Sequence, residues 1–160
     1  MIVVSDTTCL NYLARLGLQS VLPGLFGQVL VPPAVATELA AGLAAHAELD
    51  PLLNAPWLEI RTLRDNTMAG SLANQLDLGE AEAITLAHEL MAILLMDDLP
   101  GRKCAAVMNL KVIGTFGVLA VATQKGMVPR LKPVLDRLVN ELGFRASEKL
   151  IRKTLHTVGE

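Results

Sequence analysis

The sequence predicts an α/β fold in which a five-stranded parallel sheet lies between two layers of helices. Three observations carry this expectation. Five short apolar runs alternate with longer segments of helical pattern along the 160 residues. Two of the runs, Ile2-Val3-Val4-Ser5-Asp6 and Ile93-Leu94-Leu95-Met96-Asp97-Asp98, are continuously apolar, as strands covered on both faces are, and both end in aspartate. The composition is 52% hydrophobic with only 3% aromatic residues, so the core is aliphatic.

Taken in order, the first strand is Ile2–Ser5, and Asp6 or Thr7 caps a helix through Leu10, Leu13, Ala14 and Leu16 that stops at Gly17. A second short helix, Leu18–Phe26, should break at Pro23-Gly24. Val29–Val31 is the second strand, and Pro32-Pro33 starts the helix Ala34–Gly42. Residues 43–55 read as helical up to Pro56, and Trp57–Ile60 alternates like a strand at a sheet edge. Residues 64–78 are polar and weakly patterned, which makes them the long loop. Gly79 opens a strong helix, Glu80–Met91, leading into the fourth strand at 93–96. Arg102–Leu110 is helical, Lys111–Ile113 is the fifth strand, and Val118–Lys125 is the helix after it. Arg130–Leu142 and Ser147–Thr157 complete a helical tail at about 130–160. The length fits one domain over residues 1–160.

Composition narrows the setting. Leu90–Met96, the apolar stretch around the strongest strand, is seven residues, far short of the roughly 20 that cross a bilayer. No secretory leader is visible, and Cys9 and Cys104 lack metal-site spacing, so a cytoplasmic, reduced protein is expected. The net charge of −2 hides an asymmetry. Residues 1–100 hold three basic and twelve acidic residues, net −9, whereas residues 101–160 hold eleven basic and four acidic, net +7. An anionic polymer would be drawn to the basic half, although the two halves could equally neutralise each other or the tail could bind an acidic partner.

The acidic residues are the chemistry. Carboxylates at the C-terminal ends of adjacent parallel strands share the crevice where open α/β sheets bind ligands. Like charges held together need a counter-charge, most simply a divalent cation. A helix N-cap accounts for Asp6, but only for one of Asp97 and Asp98, so at least one of that pair faces the crevice. Glu38 lies at the rim of the stripe Val35, Leu39 and Leu43, where an exposed surface position is the plain alternative. On the helix at 80–91, Glu80 falls on the apolar face and Glu82 well off it, which favours Glu80 as a ligand with Glu82 as the alternate. His46, His88 and His156 are far apart, Ser5 reads as strand-end packing, and there is no phosphate-binding glycine loop or G-x-S-x-G.

The ordered set Ser5-Asp6-Thr7-Thr8, Val31-Pro32 with Glu38-Leu39, Gly79-Glu80-Ala81-Glu82-Ala83-Ile84, Leu95-Met96-Asp97-Asp98 and Lys111-Val112-Ile113-Gly114-Thr115-Phe116-Gly117 covers nearly the whole chain. It resembles the PIN-domain family of metal-dependent nucleases, nearest the small prokaryotic VapC-type toxins. The resemblance implies a PIN-like sheet and an acidic pocket holding Mg²⁺ or Mn²⁺. Asp6, Glu38, Glu80 and Asp97 would be the catalytic set, with Glu82 and Asp98 as alternative metal ligands and Thr7 and Thr115 lining the pocket. The chain departs from the usual toxin pattern by carrying glutamates at the helix start where an aspartate is common. The implied activity is ribonuclease, as the toxin of a toxin–antitoxin pair with an antitoxin protein as partner. A catalytically weak RNA- or protein-binding module is the alternative, and a metal-dependent phosphatase on a similar sheet a more distant one. Arg102, Lys103, Lys125, Arg130 and Lys132, which follow the pocket, are the candidates for RNA backbone contacts. The aliphatic excess leads to the expectation of a homodimer joined through the helical segments 10–26 and 34–55.

Overall fold

A computed structural model describes residues 1–160. Five strands form one sheet: β1 (Val3–Ser5), β2 (Val29–Val31), β3 (Leu58–Ile60), β4 (Ile93–Leu95) and β5 (Val112–Ile113). All neighbours pair in parallel, in the order β3-β2-β1-β4-β5. The expected fold class is therefore the observed one. β3 is an edge strand, as its alternation indicated.

Strand residues alternate between two cores because successive side chains point to opposite faces. Val4 is in register with Leu30 and with Leu94, and all three join one apolar cluster with Ile84, Leu86 and Met96. Val3, Val29, Val31 and Leu95 face the other, larger cluster with Leu13, Leu22 and Leu119. The chain steps from β1 to β2 in one direction across the sheet and from β4 to β5 in the other. Parallel crossovers of a single hand then place their helices on opposite faces. Accordingly α1 (Thr7–Arg15) and α2 (Val21–Phe26) contribute Leu10, Leu13 and Leu22 to the larger cluster. α6 (Leu78–Leu90) and α7 (Leu99–Val107) contribute Ile84, Leu86 and Ala105 to the smaller one. This reversal opens the crevice at the C-terminal ends of β1 and β4.

Several local expectations needed correction. α2 runs through Pro23-Gly24 without a break. Pro23 is the third residue of that helix, where the backbone N–H has no partner inside the helix anyway. Residues 43–55 are not one helix: α3 (Pro33–Gly42) ends before them, and they hold a 3-10 turn at Ala47–Leu49 and the single turn α4 (Asp50–Leu53). The stretch 64–78 is not all loop: it contains α5 (Thr67–Leu72), just before which the Asp65 carboxylate accepts from the Thr67 backbone N–H and hydroxyl. α6 starts earlier than expected because Asp77, not Gly79, caps it. α7 likewise starts earlier, at Leu99, on the Asp98 cap, and α8 (Thr115–Gln124) begins directly after Gly114. The tail forms α9 (Leu131–Asn140) and α10 (Glu148–Thr157), the latter capped by Ser147.

The apolar residues of segments 10–26 and 34–55 are largely spent inside the chain. Leu10, Leu13, Val21, Leu22, Leu39, Leu49 and Leu52 are all buried in the larger core. No helix is long and apolar enough to cross a membrane.

Candidate active site

The register of the two central strands brings the first pair of aspartates together. Ser5 is paired with Leu95, and the Asp6 backbone N–H extends that ladder by donating to the Leu95 carbonyl at 3.0 Å. Asp6 is 2% exposed. Its Oδ1 caps α1 by accepting from the Cys9 N–H at 3.0 Å. Its Oδ2 is buried with no hydrogen-bond partner. Burial, chiefly, raises the Asp6 carboxyl well above its usual range; the Cys9 N–H opposes this, and the charges of Asp97, Glu80 and Asp77 add to it. An unpartnered carboxylate oxygen beneath three further acids is poorly placed alone and well placed for a cation. The neighbouring Ser5 hydroxyl donates to the Asp6 carbonyl, a packing role.

The Asp97-Asp98 pair divides its work. Asp98 is the N-cap of α7, its Oδ2 accepting from the Gly101 N–H at 3.0 Å. Asp97 turns instead to the start of α8, where Oδ1 accepts from the Thr115 N–H at 2.8 Å and Oδ2 from the Thr115 hydroxyl at 2.5 Å. Burial raises the Asp97 pKa, while the two Thr115 bonds and the Arg102 guanidinium pull it back. Gly114 makes this arrangement possible by close approach. A Cβ there would lie 2.8 Å from both Asp97 Oδ1 and Arg102 Nη1.

The glutamates also separate. Glu80 is raised to about 8, first by burial, then by a hydrogen bond to the Asp77 carboxyl and by the charges of Asp77, Asp98 and Glu38. It therefore belongs electrostatically to the crevice. Glu82 points to the neighbouring helix, where its Oε1 accepts from the Ala34 N–H at 3.0 Å in the first turn of α3. Glu38 reaches over Gly79, where an added Cβ would meet its two carboxylate oxygens at 2.5 and 2.6 Å. The Thr7 hydroxyl donates to Glu38 Oε2. Asp6, Asp97, Glu80 and Glu38 thus gather around one crevice edge, with Thr7 and Thr115 holding two of the carboxylates. No three acidic, histidine or cysteine side chains converge into a finished ion site; the arrangement is an acid cluster with one orphaned oxygen.

Asp77 is a member of this cluster that the sequence reading missed. Its Oδ1 accepts from the Glu80 N–H at 2.8 Å, and its charge raises both Asp6 and Glu80. The signal was the N-cap-to-N3 spacing Asp77-x-x-Glu80. Of the basic candidates, Arg102 stands beside Asp97. Lys103 is exposed on α7. Lys125 follows the far end of α8, whose ten residues carry it ~15 Å from Thr115. Arg130 is the N-cap residue of α9, and Lys132 pairs with Asp136 at 2.9 Å.

A parallel sheet in this order with acids over its central strands defines a class, the open α/β fold with an acidic crevice at its switch point. The family within that class follows from comparison. The model of the family DUF3368, described as PIN domain, matches residues 2–160, and the chain belongs to the PIN-domain family. Among solved structures, a PilT N-terminus domain protein, SSO1118, from the hyperthermophilic archaeon Sulfolobus solfataricus P2 superposes with a TM-score of 0.50 at 17% identity. The match covers 76% of this chain and 92% of that one, and it speaks to the fold. No curated protein matches the sequence.

Proposed function

We propose that this PIN-domain protein is an endoribonuclease that hydrolyses RNA phosphodiesters with Mg²⁺ or Mn²⁺. The observation that carries the reading is the buried, unpartnered Asp6 Oδ2, with Asp97, Glu80 and Asp77 close enough to raise its proton affinity. Carboxylate oxygens are the donors that hard divalent cations take. Asp6, Asp97 and Glu80 would hold the ion, with Glu38 and Asp77 at its margin. When bound, the ion lowers the pKa of water and polarises a phosphoryl oxygen.

The chain's own residues do the rest. Thr115 fixes Asp97 through two hydrogen bonds, so that carboxylate keeps one orientation. Thr7 does the same for Glu38. The Arg102 guanidinium, beside Asp97, offers a charge-assisted donor to a phosphate arriving at the acids. Water attacks phosphorus, the P–O3′ bond breaks, and the 3′ oxygen leaves as a hydroxyl.

The test is cleavage of a labelled RNA in Mg²⁺ or Mn²⁺, with and without chelator, by wild type and Asp6→Asn. Metal-dependent cleavage lost in the variant supports the reading. No cleavage by folded wild type rejects it in favour of a binding module, the reading that the absence of a finished three-ligand cluster favours. At the cellular level the proposal is a cytoplasmic toxin restrained by an antitoxin protein. Expression should arrest growth, and expression of Asp6→Asn should not.

A further inference from the structure

Asp97 has an open side and a buried side. On the open side it stands with Arg102 at the head of a groove that follows the free edge of β5 and is lined by Arg145 and Lys153 between α8 and α10. On the buried side lies Thr115, and against the Thr115 hydroxyl lies the thiol of Cys9. Both residues are fully buried. Cys9 is the third residue of α1, and α1 packs against α8, which Thr115 begins. Burial, chiefly, raises the Cys9 thiol well above its usual range; the charges of Asp97 and Asp6 add to this, and the hydrogen bond to Thr115 opposes it. The sulfur therefore keeps its proton. Thr115 has a single hydroxyl proton, which goes to Asp97 Oδ2 at 2.5 Å. Its oxygen can then only accept from the thiol, so the S–H donates to Thr115 and Thr115 donates to Asp97. The backbone of Cys9 serves the other carboxylate. Its N–H gives the Asp6 carboxylate its one hydrogen bond, at 3.0 Å on Oδ1, and Oδ2 is left free.

We propose that Cys9 is a positioning residue for the divalent ion, holding Asp6 through its backbone N–H and Asp97 through the Thr115 hydroxyl, so that both carboxylates meet one ion. The proposal rests on the metal-dependent reading and adds a residue that touches neither ion nor substrate. Asp6 and Asp97 follow different strands, β1 and β4, and no hydrogen bond joins their side chains. Cys9 is the residue bonded to Asp6 on one side and to the support of Asp97 on the other. A donor at the Thr115 oxygen fixes which way the hydroxyl proton points, and so keeps Asp97 Oδ2 bonded. Groups that orient metal ligands from behind govern metal affinity by about 10–100-fold. Packing alone would ask for no donor at this position, and any small apolar side chain would serve.

Calorimetric titration of Mn²⁺ into the folded protein tests this without reference to cleavage. Cys9→Ala and Cys9→Val remove the donor, Cys9→Ser keeps one, and Leu10→Val disturbs the same helix and the same core without touching either carboxylate. Thermal melts in chelator establish that each variant is folded. Cys9→Ala and Cys9→Val should bind Mn²⁺ about tenfold more weakly, and Cys9→Ser should stay within about twofold of wild type. Leu10→Val should melt earlier with its Mn²⁺ affinity unchanged. Because Cys9 acts on Asp97 through Thr115, Cys9→Val/Thr115→Val should bind no more weakly than Thr115→Val alone. Wild-type affinity in Cys9→Val would reduce Cys9 to packing and overturn the proposal. So would equal weakening by Cys9→Ser or by Leu10→Val, a fully additive double variant, or no Mn²⁺ binding by wild type. Donor-dependent Mn²⁺ binding without RNA cleavage keeps the positioning role and removes the nuclease. Metal-dependent cleavage with unchanged Mn²⁺ affinity in Cys9→Val does the reverse.

Discussion

At the residue scale the decisive group is Asp6, because it does two incompatible things. One oxygen is satisfied by capping α1, and the other is buried without a partner. Asp6→Asn should remove metal-dependent cleavage by at least about a hundredfold, since an ion clamp supplies several kcal/mol at 1.36 kcal/mol per tenfold. The same variant should raise the melting temperature of the chelator-treated protein by about 2–4 °C, because relief of one buried charge is worth about 1 kcal/mol at this chain length. A thermal melt alongside the cleavage assay checks both; a more stable variant with full activity would move the ion elsewhere. Glu80 gives a pH signature. Its folded pKa, about 8, lies above the ordinary 4.5, so the folded state favours the protonated form. Its contribution to stability without metal is complete below about pH 4.5 and is lost as pH rises toward about 8. Glu80→Gln should flatten that fall in a pH series of chelator-treated melts. Glu82→Gln should lower stability by about 1 kcal/mol, through the weakened contact to the α3 N-terminus. Cleavage should suffer more from Glu80→Gln than from Glu82→Gln; the opposite order would exchange the two assignments.

At the scale of elements, helix starts aim the acids. Asp6, Asp77 and Asp98 each cap a helix, and the chain leaves each strand or loop at the angle those caps set. Gly79 and Gly114 are small because carboxylates lie over them, not because their backbone needs positive φ. Gly79→Ala therefore tests the contact between α3 and α6. It should be neutral or stabilising by up to ~1 kcal/mol through helix propensity, because Glu38 can swing aside. It should nevertheless weaken Mn²⁺ binding by calorimetry, since the swing removes Glu38 from the acid cluster. Unchanged metal affinity would show that Glu38 stands outside the site.

At the scale of the whole molecule the aliphatic content is mostly used internally. The large residues of α1, α2 and α3 lie in the chain's own core, so these segments leave little for a partner. A homodimer therefore has to use apolar residues still exposed. Ile60 on the edge strand β3, with Met1 and Ile2 at the N-terminus, is among the apolar residues that stay exposed. Light scattering should report a dimer at micromolar concentration, and Ile60→Lys a monomer. A monomeric wild type would end the expectation.

What the sequence determined by itself was the class of fold and the strand ends at which acids stand. Buried parallel strands read as continuous apolar runs, and carboxylates that follow such runs must emerge at the sheet's C-terminal edge whatever the helices do. Asp6 and Asp97 were legible for that reason. The strand order was not, because a run such as Val29-Leu30-Val31 fits beside any neighbour. Nor could the sequence divide Asp97 from Asp98, and for Glu80 and Glu82 the helical wheel gave a preference without a partner for either. Each pair has the same chemistry, and a shift of one or two residues in a helix start rotates one member in and the other out. Only tertiary contacts settled where each points, through Thr115 for Asp97, Gly101 for Asp98 and Ala34 for Glu82. Asp77 was hidden in a weakly patterned stretch, and the groove at β5 was invisible for a deeper reason. Arg102 is far in the chain from Arg145 and Lys153, and the three come to line one groove only when α10 packs against α8.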